Sequence, residues 1–185
     1  NNARLTWGTQ YGFLGQASYA VNDGVVGSAA GHPKQSYSTY VVLGPHSLAP
    51  VEAQVTQIER VAQTTATALV GSVVTQGLAG VGREADAARV YDPPGYDAVH
   101  AAWRFAAQGD ALDANLAVAA GTLRDPLLIV QGYARAALPT TLRFNGTPLL
   151  RDVDWLPSVR ADRDELWITL RRDLAGPSNR IEIVP

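Results

Sequence analysis

Turn signals recur at short intervals along this chain, and the apolar residues between them mostly alternate with the period of a β-strand. Asp92-Pro93-Pro94-Gly95 is a firm turn. Leu142 and Phe144 alternate into Asn145-Gly146, the strongest short hairpin signal a sequence offers. Asp162-Arg163-Asp164 marks another turn, after which Leu166, Ile168 and Leu170 alternate with Trp167 and Thr169, and Ile181 and Ile183 close the chain. Leu127 to Val130 is wholly apolar and follows Asp125-Pro126, as expected of a strand buried on both faces. Roughly eight to twelve short strands spaced in this way argue for a β-sandwich.

One segment breaks the pattern. Val51, Val55, Ile58 and Ala62 recur at i, i+4, i+7 and i+11, a single stripe at helical period, with Glu52, Gln54, Thr56, Gln57, Glu59 and Arg60 on the other faces. Pro50 suits an early helical position and Ser47 a cap just upstream. The spacing predicts a helix from Pro50 to about Gln63 that buries its apolar stripe on a sheet.

Upstream, Trp7 to Val21 reads as extended, with Trp7, Thr9, Tyr11 and Phe13 on one face of a strand. Asn22 to Lys34, punctuated by Asn22-Asp23-Gly24, Gly27, Gly31 and Pro33, reads as a long loop, and Ser36 to Leu43 as the next strand. Ala68 to Val74, Gly77 to Gly82 and Arg89 to Tyr91 are further short apolar stretches. His100 to Ala107 fits a strand with Trp103 and Phe105 on one face, or a helix aligning Tyr96, Val99 and Trp103; its β-like neighbours favour the strand. The expected fold is all-β, a mainly antiparallel β-sandwich with one amphipathic helix packed on it. Residues 1–138 would form the main sandwich and 139–185 a strand series completing or extending it.

Composition narrows the function. Of the 185 residues 46% are hydrophobic and 17% charged, enough for a packed core. The net charge of −2 comes without a basic stripe, which argues against nucleic acid and anionic membranes as partners. No apolar run is long enough to span a bilayer as a helix. Cysteine is absent, so disulfides, thiolate metal sites and thiol nucleophiles are excluded together. Methionine is absent even at position 1, and the chain is expected to begin inside a longer reading frame.

His32, His46 and His100 lack ligand-like spacing, and neither a calcium loop, a dinucleotide or phosphate loop nor a nucleophile elbow occurs. No metal or cofactor is expected. Asp152-Val153-Asp154 offers oxygens to a cation, but reads better as a turn beside a strand. Aromatic residues crowd the first 105 positions. Most belong to a core at alternating strand positions, yet Tyr11, Tyr19, Tyr37 and Tyr40 flank loops and carry hydroxyls. A flat ring with a polar tip matches the apolar faces and hydroxyls of a sugar. The rim of the Asn22 to Lys34 loop, gathering Tyr19, His32, Tyr37 and Tyr40, is therefore the expected ligand site. His32 with Tyr37 also suits proton transfer in sugar elimination or hydrolysis, against the plainer reading of a loop histidine in solvent.

Trp7-Gly8-Thr9-Gln10-Tyr11-Gly12-Phe13-Leu14-Gly15-Gln16, Gln35-Ser36-Tyr37-Ser38-Thr39-Tyr40-Val41-Val42-Leu43-Gly44 and the tail around Leu166-Trp167-Ile168-Thr169-Leu170 resemble the β-supersandwich, galactose-mutarotase-like region of secreted polysaccharide-active proteins such as polysaccharide lyases. The resemblance carries no diagnostic catalytic motif. It implies an extracellular, carbohydrate-associated module that binds an oligo- or polysaccharide or scaffolds another domain or chain of its parent protein. The alternative is a part of a polysaccharide lyase or glycoside hydrolase whose active site another segment completes.

Overall fold

A computed structural model describes residues 5–8, 13–16, 49–78 and 88–185. The chain divides into two compact units, Asn1–Val41 and Val42–Pro185. In the first, β1 (Leu5–Gly8) and β2 (Phe13–Gln16) pair antiparallel, with Trp7 opposite Leu14 and Gly8 opposite Phe13. This corrects the expectation of one strand running through Trp7 to Phe13. Glycine at positions 8 and 12 weakens a continuous strand.

The second unit is a β-sandwich with one helix. Helix α1 (Ala49–Ala62) leads into β3 (Thr64–Val70) and the short β4 (Ser72–Val73). The two-stranded sheet of β5 (Gln76–Leu78) and β6 (Ala88–Val90) follows. After the Asp92-Pro93-Pro94-Gly95 turn, whose Asp92–Pro93 bond is cis, come β7 (Tyr96–Asp97), β8 (Ala102–Ala106) and the long β9 (Leu112–Arg124). Next are β10 (Leu127–Gln131), β11 (Thr141–Phe144) and β12 (Thr147–Pro148). The chain closes with β13 (Trp155–Arg160), β14 (Glu165–Leu170), β15 (Asp173–Gly176) and β16 (Arg180–Val184).

Two six-stranded sheets result. One runs β12-β11-β16-β9-β15 with β3 also on β9; the other runs β13-β14-β10-β8-β4 with β7 on β8. Strands from beyond residue 139 enter both sheets. Pairing is antiparallel except between β8 and β10, which run parallel in the middle of the second sheet. Within His100 to Ala107 the chain forms a strand rather than a helix, as expected, over Ala102–Ala106, and Leu128, Ile129 and Val130 at the sheet centre are fully buried.

Alternation sorts the residues. Trp103 and Phe105 of β8, Leu128 and Val130 of β10, and Leu166, Ile168 and Leu170 of β14 face Leu112 and Leu116 of β9, Leu142 of β11, and Ile181 and Ile183 of β16 in one core. Each such side chain contributes about 1.5–3 kcal/mol of transfer free energy. Asn145 and Gly146 adopt φ of 48° and 79°, left-handed values that a two-residue hairpin turn requires and that glycine takes without steric cost. Asn145 Oδ1 also accepts from Arg180 N at 2.8 Å, so the hairpin signal doubles as a tie to β16.

The helix forms where the 3.6-residue period placed it, but with a different face inward. Val51 and Val55 remain 44% and 48% exposed, and Val61 is the helix's buried residue. The reason lies in β9. Beyond Val118, where pairing with β3 ends, β9 still has main-chain groups to satisfy, and α1 with the residue after it supplies them. Ala119 N donates to Gln63 O at 2.9 Å, Arg60 Nη1 to Ala120 O at 3.3 Å and Gln57 Nε2 to Thr122 O at 3.4 Å. Arg124 N donates to Gln57 Oε1 at 2.8 Å. Hydrogen bonding to a strand edge thus draws the polar side of the helix inward. At the bend Gly121 has φ of 69°, and the Arg60 side chain lies where a Cβ would project.

Candidate functional site

The outer face of the second sheet, opposite the core, carries a chain of polar and aromatic residues. Register places Arg104 opposite Ile129, Ile129 opposite Trp167 and Trp167 opposite Ser158, a row crossing β8, β10, β14 and β13. Alongside stand Glu165 opposite Arg160 and Thr169 opposite Leu156 on β14 and β13. Alternation accounts for the row. With Leu166, Ile168 and Leu170 committed to the core, Glu165, Trp167 and Thr169 must point out.

At one end of the row sits a buried ion triad. Asp97 is 2%, Arg104 7% and Glu165 8% exposed. Arg104 Nε donates to Asp97 Oδ2 at 2.7 Å and Nη1 to Glu165 Oε1 at 3.2 Å. Asp97 Oδ1 also accepts from Val99 N at 3.0 Å, which closes the turn between β7 and β8, where Ala101 takes φ of 50°. Burial alone would push the Asp97 carboxyl upward, but hydrogen bonds from Arg104 and His100 more than offset it and hold the group below the usual carboxylate range. Burial would likewise lower Arg104, and the Asp97 carboxylate outweighs it. Tyr91, mostly buried beside the triad, is raised first by burial and then by Asp97, and stays protonated at neutral pH.

The triad anchors an exposed rim. His100 Nδ1 lies 2.8 Å from Asp97 Oδ2 and its side chain is 39% exposed. Trp167 donates its indole N–H to Glu165 Oε2 at 2.8 Å and meets the His100 ring edge-on at 5.6 Å between centroids. Arg160 lies over the indole at 4.7 Å, a cation–π contact, and has no ion-pair partner among the described residues. Trp167 is half-buried, while Ser158 and Leu156 beside it are exposed. The result is an aromatic platform whose orientation is set by the Glu165 carboxylate and the His100 imidazole, edged by the Ser158 hydroxyl and the Arg160 guanidinium.

The residues expected to form a site, Tyr19, His32, Tyr37 and Tyr40, lie outside the described residues, as do the long loop at 22–34, the strand at 36–43 and His46. Of the three histidines, His100 is the one the described structure places, and it joins Asp97, Arg104 and Trp167. Asp97, Arg104 and Glu165 went unnoticed in the sequence because they stand 7 and 61 positions apart and converge only through strand pairing. The alternation around Trp167 was the available signal, since it already assigned that ring to the face opposite the core. Asp152-Val153-Asp154 forms a turn: Asp152 has φ of 65°, Leu150 N donates to Asp154 Oδ2 at 2.9 Å, and Arg172 pairs with Asp154 at 3.2 Å. Among the described residues no helix is long and apolar enough to cross a membrane, and no group of three or more acidic or histidine side chains is placed to hold a metal ion. Comparison with protein-family models, curated proteins and solved structures returns no match, so the reading rests on the geometry of this face.

Proposed function

We propose that the chain is a carbohydrate-associated β-sandwich module that binds an oligo- or polysaccharide on the outer face of its second sheet, as part of a larger secreted protein. The observation that supports this reading is the half-exposed Trp167, held in one orientation by Glu165 and His100 beside the exposed Leu156 and Ser158 of β13. Sugars present flat C–H faces ringed by hydroxyls, and such a surface is matched by an indole plane with hydrogen-bonding side chains at its edge. Ser158, Arg160 and His100 supply that edge. Because the buried triad fixes the platform beforehand, little side-chain entropy is lost on binding. The expected result with the whole chain in affinity electrophoresis through neutral and acidic polysaccharides is retardation by at least one of them, with no new unsaturated or reducing ends. Unimpeded migration through all of them would remove the proposal.

One observation favours a second reading, a share in a lyase or hydrolase site completed by another segment. Asp97 holds His100 through Nδ1, which leaves Nε2 as the lone-pair nitrogen of a partly exposed imidazole, the arrangement of an oriented general base. Release of unsaturated or reducing ends that His100→Ala abolishes would establish this reading over the binding module.

A further inference from the structure

A groove of about 410 Å³ lies between α1 and the outer end of β9, away from the Trp167 face. Its size falls within the range of roughly 300–1,000 Å³ that holds small organic ligands. Two guanidinium side chains, Arg60 and Arg124, line it together with Gln54, Gln57 and Thr122, and no carboxylate lines it among the described residues. Two of these side chains have fixed positions. Gln57 is held at both ends of its amide by β9, and Arg60 is held by Gln63 Oε1 at 2.8 Å and by Ala120 O. Arg124 is different. Asp173 stands opposite it in the β9–β15 register, yet the Arg124 side chain makes no ion pair or hydrogen bond among the described residues. The Gln54 amide is likewise uncommitted among the described residues.

An unpaired guanidinium beside a second, pinned one is an anion-recognition arrangement, because each offers planar N–H donors that match the oxygens of a phosphate or sulfate group. The remaining amide and hydroxyl groups suit the polar body of the molecule that carries it. We infer that this groove is a second ligand site, one that takes a small polar molecule bearing a phosphate or sulfate ester. The site stands on the groove's own residues and is independent of glycan binding at Trp167.

Titration of the ¹⁵N-labelled chain, followed through its amide resonances, tests the inference. Glucose 6-phosphate or glucose 6-sulfate should shift the Gln54 and Gln57 side-chain amides and the Thr122 and Arg124 backbone amides saturably, and whichever ester binds identifies the group. Glucose should leave them unmoved, and inorganic phosphate or sulfate should bind about tenfold more weakly than the matching ester. Arg124→Gln should weaken ester binding about tenfold or more, the effect of one lost charge-assisted hydrogen bond, while the exposed Arg143→Gln leaves it unchanged. The Arg124 backbone bond to Gln57 survives that substitution, so spectra elsewhere should superimpose on those of the native chain. Four results would overturn the inference: no shift in the groove with either ester, an equal response to glucose, the inorganic ion binding as tightly as its ester, or an Arg124→Gln chain that titrates like the native one.

Discussion

Replacing Arg104 by methionine keeps the length and most of the volume of the side chain while removing its charge. The two carboxylates it joins, Asp97 and Glu165, are 2% and 8% exposed, so neither turns to water without rebuilding the turn between β7 and β8. Removing one member of a buried ion pair costs about 3–5 kcal/mol, most of it from the charge left unpaired. For a chain of this size that corresponds to a fall in melting temperature of about 6–20 °C, taking roughly 2–4 °C per kcal/mol. The pH dependence carries the sharper signature. In the native chain the Asp97 pKa lies below the ordinary aspartate value, so its contribution is complete above that ordinary value and is lost as the pH falls through the lower folded pKa. Without Arg104, burial, the largest influence on Asp97, is opposed mainly by His100, and the carboxyl moves upward. It then takes up a proton on mild acidification, which relieves the unpaired charge. Urea unfolding of both proteins at about pH 7 and about pH 4.5 should show the deficit largest at the higher pH and clearly smaller at the lower. A deficit under about 1 kcal/mol, or one that does not change with pH, would mean the triad is screened by solvent, and the reasoning fails.

Two further predictions probe the backbone. Gly121→Ala places a Cβ within 2.5 Å of Arg60 Nε at φ of 69°, and should cost about 1–3 kcal/mol in chemical denaturation. In an Arg60→Ala background the cost should fall to about 1 kcal/mol, the backbone component alone; equal costs in both backgrounds would refute the contact. Gly146→Ala, at φ of 79° with nothing within 4 Å, should cost about 1 kcal/mol. Asn145→Ala should cost more, because it also gives up the bonds to Arg180 N and Ser178 O, and the reverse order would contradict this account of the hairpin.

Much of the fold was legible because it rests on local rules. The alternation of Leu166, Ile168 and Leu170 and the apolar run at 127–130 each imposed a burial pattern that the sheets obey, and the Asn145-Gly146 turn closed the hairpin its φ angles allow. The helix was legible as an element and illegible as a surface. Periodicity finds the apolar stripe, yet the position of α1 is decided by unpaired main-chain groups on β9, which Gln57 and Arg60 satisfy. That demand is created by where β3 stops pairing, and α1 itself gives no sign of it. The parallel pairing of β8 with β10 has no local signature either, since it joins segments separated by the whole of β9. The triad was hidden for the same reason. His100 was noticed as a residue, but its meaning depends on Asp97 across a turn and on Trp167 from a distant strand.

We propose Trp167 as the floor of a glycan site. Isothermal titration of the native chain and of Trp167→Ala, with whichever polysaccharide retards the native chain most, tests it directly. An aromatic anchor of this kind contributes about 2 kcal/mol or more, so the substitution should weaken binding roughly thirtyfold or more. The ring is half-buried and outside the core cluster, so the melting temperature should change by only a few degrees. Affinity in Trp167→Ala equal to that of the native chain would contradict the account.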